Sequence, residues 1–132
     1  MSREIGTFYF NTMKDIQTRD DLYLIVSSFY DKLLADEQIN FIFTEVANID
    51  LEPHLWELVD FWEQMLFDKG DYRKNVLQLH LDLNQKIKLT ATHFEIWLRY
   101  FDASINENFA GQIAENMKTR ALSIATVMKI KM

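Results

Sequence analysis

Apolar residues return every third or fourth position along four long runs of this chain, and almost nothing interrupts them. Leu22, Ile25, Val26, Phe29 and Leu33 form the first stripe, and Leu55, Leu58, Val59, Trp62 and Leu66 the second. Phe94, Trp97, Leu98, Phe101 and Ile105 form the third, and Ile113, Met117, Ala121, Ile124 and Met128 the fourth. Spacings of three and four keep side chains on one face of an α-helix, whereas a strand needs alternation. The 132 residues hold 3 glycines and 1 proline, too few to turn the many short strands of a sheet protein. The pattern predicts an all-α chain with no strand.

Capping residues predict the boundaries. Thr18 ahead of Arg19-Asp20-Asp21 puts a hydroxyl at an N-cap and acids in the first turn, opening a helix that runs to about Ala35. Asp36 is expected to cap a short second helix, Glu37–Phe43, and Ala47–Asp50 reads as a loop. Asp50 is then the N-cap of Leu51–Phe67, where Pro53 does no harm because first-turn N–H groups have no partner within the helix. Asp68-Lys69-Gly70-Asp71 turns the chain, Tyr72–Leu79 is a short helix at best, and Asn84–Leu89 reads as a loop. Thr90 or Thr92 opens a helix to about Phe109, Ala110-Gly111 bends, and Gln112–Lys129 is the last helix. Residues 1–16 show no period and read as an N-terminal extension or short pre-helix of a single domain spanning 1–132.

Composition removes several function classes. A net charge of −6 argues against nucleic acid or an anionic membrane surface as partner. The chain has no Cys, hence no disulfide, thiolate metal site or Cys nucleophile. No segment approaches the roughly 18 unbroken apolar residues of a membrane span. The start, MSREIGTFYF, lacks the features of a secretory leader, so a cytoplasmic protein is expected. Ten Phe and three Trp are a rich supply of large flat side chains, which suit a pocket or a core built around rings.

What chemistry remains lies in three imidazoles, His54, His80 and His93. HExxH, helical Glu-x-x-His pairs and a Gly-rich phosphate loop are all missing. His80 stands in the apolar stretch NVLQLHLDL, Asn75–Leu83, where helical spacing puts it on one face with Val76. His54, Leu58 and Trp62 are four apart, so His54 sits at the edge of the second stripe. A single imidazole on an apolar face is more often a core residue bonded to a backbone carbonyl than a metal ligand. Tyr30 and Trp97, taken singly, are more often plain packing residues, and the residues alone leave both readings open. If the helices of His54 and His80 fold as a hairpin, the two imidazoles face each other across a slot that fits a flat apolar cofactor with a metal centre. Tyr30 and Trp97, from two other helices, then offer O–H and N–H donors to the same space.

The order and spacing of five fragments resemble the truncated haemoglobins, specifically group III. They are Phe29-Tyr30, Ile42-Phe43, HLWELVDFW (His54–Trp62), Tyr72 followed by HLDL (His80–Leu83), and HFEIWL (His93–Leu98). The resemblance runs from about Asp15 to about Met128. It departs from the family at Asn75-Val76, where Asn-Pro is usual, and in a longer segment between His80 and His93.

The resemblance implies a truncated globin fold, a two-over-two helical sandwich with the B and E helices against G and H and a short F segment. It implies haem b as cofactor, with His80 as the proximal iron ligand, His54 as the distal gate, Tyr30 as the distal Tyr and Trp97 beside the ligand. Phe43 corresponds to an aromatic packed on the haem, Leu58 and Trp62 to pocket-lining positions, and Tyr72 and Val76 to further cofactor contacts ahead of His80. His93 reads as a first-turn or haem-edge residue, and Met117 and Met128 read as core filler. The implied function is binding of O₂ or another diatomic ligand. Several donors on one ligand suit ligand chemistry or sensing better than transport. Two alternatives stand beside it: a haem redox enzyme, peroxidase-like or detoxifying nitric oxide with an external reductase, and a haem-free interaction module. Retention of His80, Tyr30, His54 and Trp97 together speaks against the module.

Overall fold

The computed structural model describes residues 13–46, 49–70 and 76–131. Five α-helices account for most of them: α1 (Arg19–Ala35), α2 (Leu51–Phe67), α3 (Val76–Lys86), α4 (Ala91–Asn106) and α5 (Gln112–Lys131). A π-helical turn, Ile42–Val46, lies between α1 and α2. No strand occurs among the described residues.

The helix starts follow the caps. Thr18 Oγ1 accepts from Asp21 N at 3.1 Å, and Asp21 Oδ2 accepts from Thr18 N at 3.1 Å. This reciprocal pair satisfies two N–H groups that the first turn leaves without helical partners. Asp50 occupies the N-cap position of α2 but makes no side-chain cap bond. Thr90, not Thr92, opens α4: its Oγ1 accepts from His93 N at 3.2 Å, and His93 Nδ1 accepts from Thr90 N at 3.2 Å. At the far end of α2, Asp68 takes the left-handed conformation (φ 54°) and turns the chain.

α1 packs on α2 and on α4, while α5 packs on α4 and on α2. The four long helices therefore form two layers of two, and α3 leans on α5. Every residue of the α1 stripe is buried, together with Tyr30 beside it. Leu55, Val59 and Trp62 of α2, Phe94, Phe101 and Ile105 of α4, and Met117, Ala121 and Met128 of α5 are buried as their spacing predicts. Leu58, Leu66, Trp97, Leu98, Ile113 and Ile124 are half-buried. Burial of such side chains stabilises by about 1.5–3 kcal/mol each, before chain entropy is set against it.

Three boundaries differ from the sequence reading. The stretch expected as a helix over Glu37–Phe43 is a turn around Asp36–Ile39, followed by the π-helical turn. Asp36 Oδ1 accepts from Gln38 N at 2.8 Å, so it caps a turn, not a helix. α3 is a full helix that continues through Asn84 and Gln85, positions expected to be loop. A side-chain bond from Gln78 Nε2 to Asp82 Oδ1 (2.8 Å) supports it, and Asn84 Oδ1 ends it by accepting from Leu89 N at 2.8 Å. α4 ends at Asn106, three residues early, and Phe109 is buried outside the helix.

The segment before α1 is tied into the body. Asp15 accepts from Ile113 N at 2.8 Å and Ala114 N at 2.9 Å, capping α5 from the other end of the chain. Ile16 beside it is buried.

Candidate functional site

A cavity of about 490 Å³ opens inside the sandwich, within the 300–1,000 Å³ range usual for small-molecule sites. Seven of the expected positions line it: Tyr30 from α1, Phe43 from the π-helical turn, His54, Leu58 and Trp62 from α2, His80 from α3 and Trp97 from α4. Helical spacing explains the α2 trio, which occupies successive turns of one face. The π-helical turn swings Phe43 inward, where its ring lies 5.4 Å from that of Tyr30, edge to face. Tyr72 lies outside the described residues, and Val76 falls at the start of α3 with its side chain outside them, so neither is placed at the cavity.

The inner wall is apolar and aromatic. Trp97 stacks on Phe101 (5.6 Å, 7°), and Phe101 stacks in turn on Trp62 (5.3 Å, 28°). Phe29 meets both Trp97 and Phe101 edge to face, which holds the Trp97 ring in one orientation. Met128 also lines the cavity, so it is more than filler. Phe61, Leu83 and Ile124 line it without having been expected to. For Met128 the signal was present, since it lies four residues beyond Ile124 on the same face of α5.

Tyr30 Oη and His54 Nε2 are 2.7 Å apart, a hydrogen bond joining α1 to α2 at the cavity. Burial pushes the Tyr30 phenol well above its ordinary range, because the phenolate would be stranded without water. The hydroxyl therefore stays protonated, and the tautomer of His54 decides whether it donates to Nε2 or accepts from it. His93 is a first-turn residue whose Nδ1 belongs to the α4 cap, and its ring also reaches a smaller recess of about 80 Å³. That recess shares Tyr30, Phe43, His80, Leu83 and Trp97 with the main cavity.

Among the described residues no group of three or more His, Asp or Glu could hold a metal ion by itself. The arrangement instead suits a cofactor that brings its metal with it and needs one protein ligand. An apolar slot walled by flat rings, with imidazoles from two different helices, meets that need. Among the described residues no helix is long and apolar enough to cross a membrane.

Comparison with known proteins agrees with this geometry. No family model matches the chain. It is 28% identical over 111 residues to a curated group 3 truncated haemoglobin of Campylobacter jejuni, covering 82% of this chain and 85% of that protein. The fold is similar to the crystal structure of a group III truncated haemoglobin from Campylobacter jejuni. That match has a TM-score of 0.79 and 28% identity, and it covers 90% of this chain and 94% of the other.

Proposed function

We propose that this chain, similar in sequence and in fold to group III truncated haemoglobins, binds haem in the main cavity and takes a diatomic ligand there, O₂ or another. One observation carries this reading. Two imidazoles from separate helices, His54 on α2 and His80 on α3, line a single aromatic cavity, and the buried Tyr30 hydroxyl is hydrogen-bonded to one of them. A porphyrin is flat and apolar with a metal at its centre, and this donor set fits it. With no Cys among the 132 residues, thioether attachment is ruled out, which fits the haem b that the resemblance implies.

When bound, haem supplies an iron with one position for the protein and one for a diatomic ligand. His80 is the residue that would hold the iron, since α3 carries it to the same cavity as the Tyr30–His54 pair. Phe43, Leu58 and Trp62 exclude water from the slot and hold the group flat. Tyr30 keeps a proton to offer a ligand, and the stacked Trp97 offers an indole N–H from α4. Hydrogen bonds to a charged acceptor contribute roughly 1.5–3 kcal/mol each, so donors from Trp97 and, where His54 leaves its proton free, Tyr30 slow ligand loss. Slow loss suits ligand chemistry or sensing better than transport. Among the described residues nothing favours redox turnover with an external reductase over ligand binding, and a lined, aromatic cavity is not what a haem-free module needs.

Titration of purified protein with haemin, followed by ferric, ferrous and CO-treated absorption spectra, tests the reading. One haem per chain is expected, and His80→Ala is expected to lose stable binding. A folded, colourless protein that refuses haemin overturns the function, and a normal spectrum for His80→Ala overturns the assignment of His80.

A further inference from the structure

α1 and α4 open with the same reciprocal cap, a threonine and a side chain three residues on, but the second member differs. At α1 it is the carboxylate of Asp21, and such caps commonly take Glu or Gln. At α4 it is the imidazole of His93. A carboxylate only accepts, whereas an imidazole has two nitrogens with separate roles. His93 Nδ1 accepts from Thr90 N at 3.2 Å, so its lone pair is engaged in the cap and the ring proton sits on Nε2. Among the described residues Nε2 has no hydrogen-bond partner. The ring is held by the cap and by an edge-to-face contact with Phe41, 6.4 Å between centroids. His93 is half-buried and lines the recess of about 80 Å³ that is continuous with the main cavity through Tyr30, Phe43, His80, Leu83 and Trp97. The other donors along these two spaces are assigned. Tyr30 and His54 are bonded to each other, and in the haem reading Trp97 serves the diatomic ligand and His80 the iron.

We propose that His93 Nε2–H binds a carboxylate at the edge of the haem while Nδ1 caps α4, an assignment that rests on the haem reading above and deepens it. A carboxylate beside an apolar wall needs a donor or water, because an unpaired charge there is costly. Ile39, Ile42 and Phe94 supply such a wall: all three line the recess and are buried. An N–H bonded to a charged acceptor is stronger than one bonded to a neutral acceptor. Trp97 lies one turn beyond His93 on the same face of α4. One imidazole therefore ties the edge of the cofactor to the helix that carries the Trp97 donor. Glu at this position would keep the cap and lose that tie.

Variants at His93 separate the two roles. His93→Gln keeps both, since its amide oxygen takes Thr90 N and its NH₂ donates; His93→Glu keeps only the cap; His93→Ala keeps neither. The rate of haemin release to an excess of a scavenging apoglobin is compared with that of the dimethyl ester of the same iron porphyrin, which has no charged carboxylate. His93→Glu is expected to release haemin about 5- to 30-fold faster than the wild type, and His93→Gln to stay within about 3-fold. With the diester, His93→Glu should stay within about 2-fold of the wild type, because the charged acceptor is gone. Urea unfolding of the haem-free chain reads the cap alone, and only His93→Ala should lose stability. Haemin release from His93→Glu at the wild-type rate overturns the assignment. So does an equal gain for haemin and diester, the result for a residue that only holds the helix. Should His93→Glu not fold, His93→Ala is read by the same excess of haemin over diester. A wild type that takes up neither porphyrin overturns the haem reading and this one with it, whereas uptake of both with no such excess overturns the role of His93 only.

Discussion

Tyr30 Oη and His54 Nε2, 2.7 Å apart, share one hydrogen bond at the wall of the cavity. A neutral imidazole has one donor and one acceptor nitrogen, so the tautomer of His54 decides where the Tyr30 proton goes. With Nε2 accepting, the phenol proton is spent on His54. With Nε2 donating, the Tyr30 oxygen accepts and its own proton turns to the cavity. Tyr30 is therefore a conditional donor, set by its neighbour.

Where Nε2 donates, the phenol proton faces the cavity and removing the hydroxyl removes a ligand donor. Tyr30→Phe should leave haem bound and speed O₂ loss by roughly 10- to 100-fold, the equivalent of a lost bond to a charged acceptor. His54→Leu reports the tautomer: O₂ loss becomes slower than in the wild type where Nε2 accepts the phenol proton, and does not where Nε2 donates. Stopped-flow release from the ferrous, oxygenated protein reads both; a muscle-like release rate in the wild type contradicts the tight-retention reading.

The buried phenol also sets an alkaline limit. Because the Tyr30 pKa is raised in the fold above the unfolded value near 10, both states keep the proton at lower pH and nothing is lost there. Above about pH 10 the unfolded chain releases its proton while the folded one holds it. Stability then falls by about 1.4 kcal/mol per pH unit until the folded pKa is passed. Urea midpoints between pH 9 and 11 should fall more steeply for the wild type than for Tyr30→Phe.

Asp15 closes the fold from its N-terminal side. Its carboxylate accepts from Ile113 N and Ala114 N, and Ala110 N donates to Lys14 O at 3.0 Å. Gly111 allows this approach: its φ is +147°, and a Cβ there would collide with the Asp15 side chain. Asp15→Ala should cost about 1–2 kcal/mol, the usual cost of a lost cap. Gly111→Ala should cost more, because backbone strain and a clash coincide. Chemical denaturation of both variants checks the order.

Asp21 sets an acid limit. Burial pushes its pKa up, but bonds from Lys14 Nζ, Gln17 N and Thr18 N outweigh burial and hold it below the ordinary carboxylate value. A lowered folded pKa contributes stability above about pH 4 and loses it as pH falls through that lowered value. Lys14→Ala should therefore flatten the acid limb of stability between pH 4 and 2, as measured by denaturant midpoints.

The local pattern of residues determined the four long helices, which face each buries, and where α1 and α4 start, because periodicity and caps are written in neighbours three or four positions apart. Seven of the residues at the cavity were also legible, since His54, Leu58 and Trp62 share a helical face and the resemblance implied Tyr30, Phe43, His80 and Trp97. Local pattern did not reveal the π-helical turn that aims Phe43, nor α3 continuing through Asn84, because both depend on what the chain packs against. Ser104, which the sequence reading did not single out, is fully buried and accepts from Lys32 Nζ on α1 at 3.2 Å. Only the tertiary structure brought Asp15 to α5 and bonded Tyr30 to His54. Those contacts join residues far apart along the chain, and a helix's own spacing says which side is apolar but not which neighbour that side will meet.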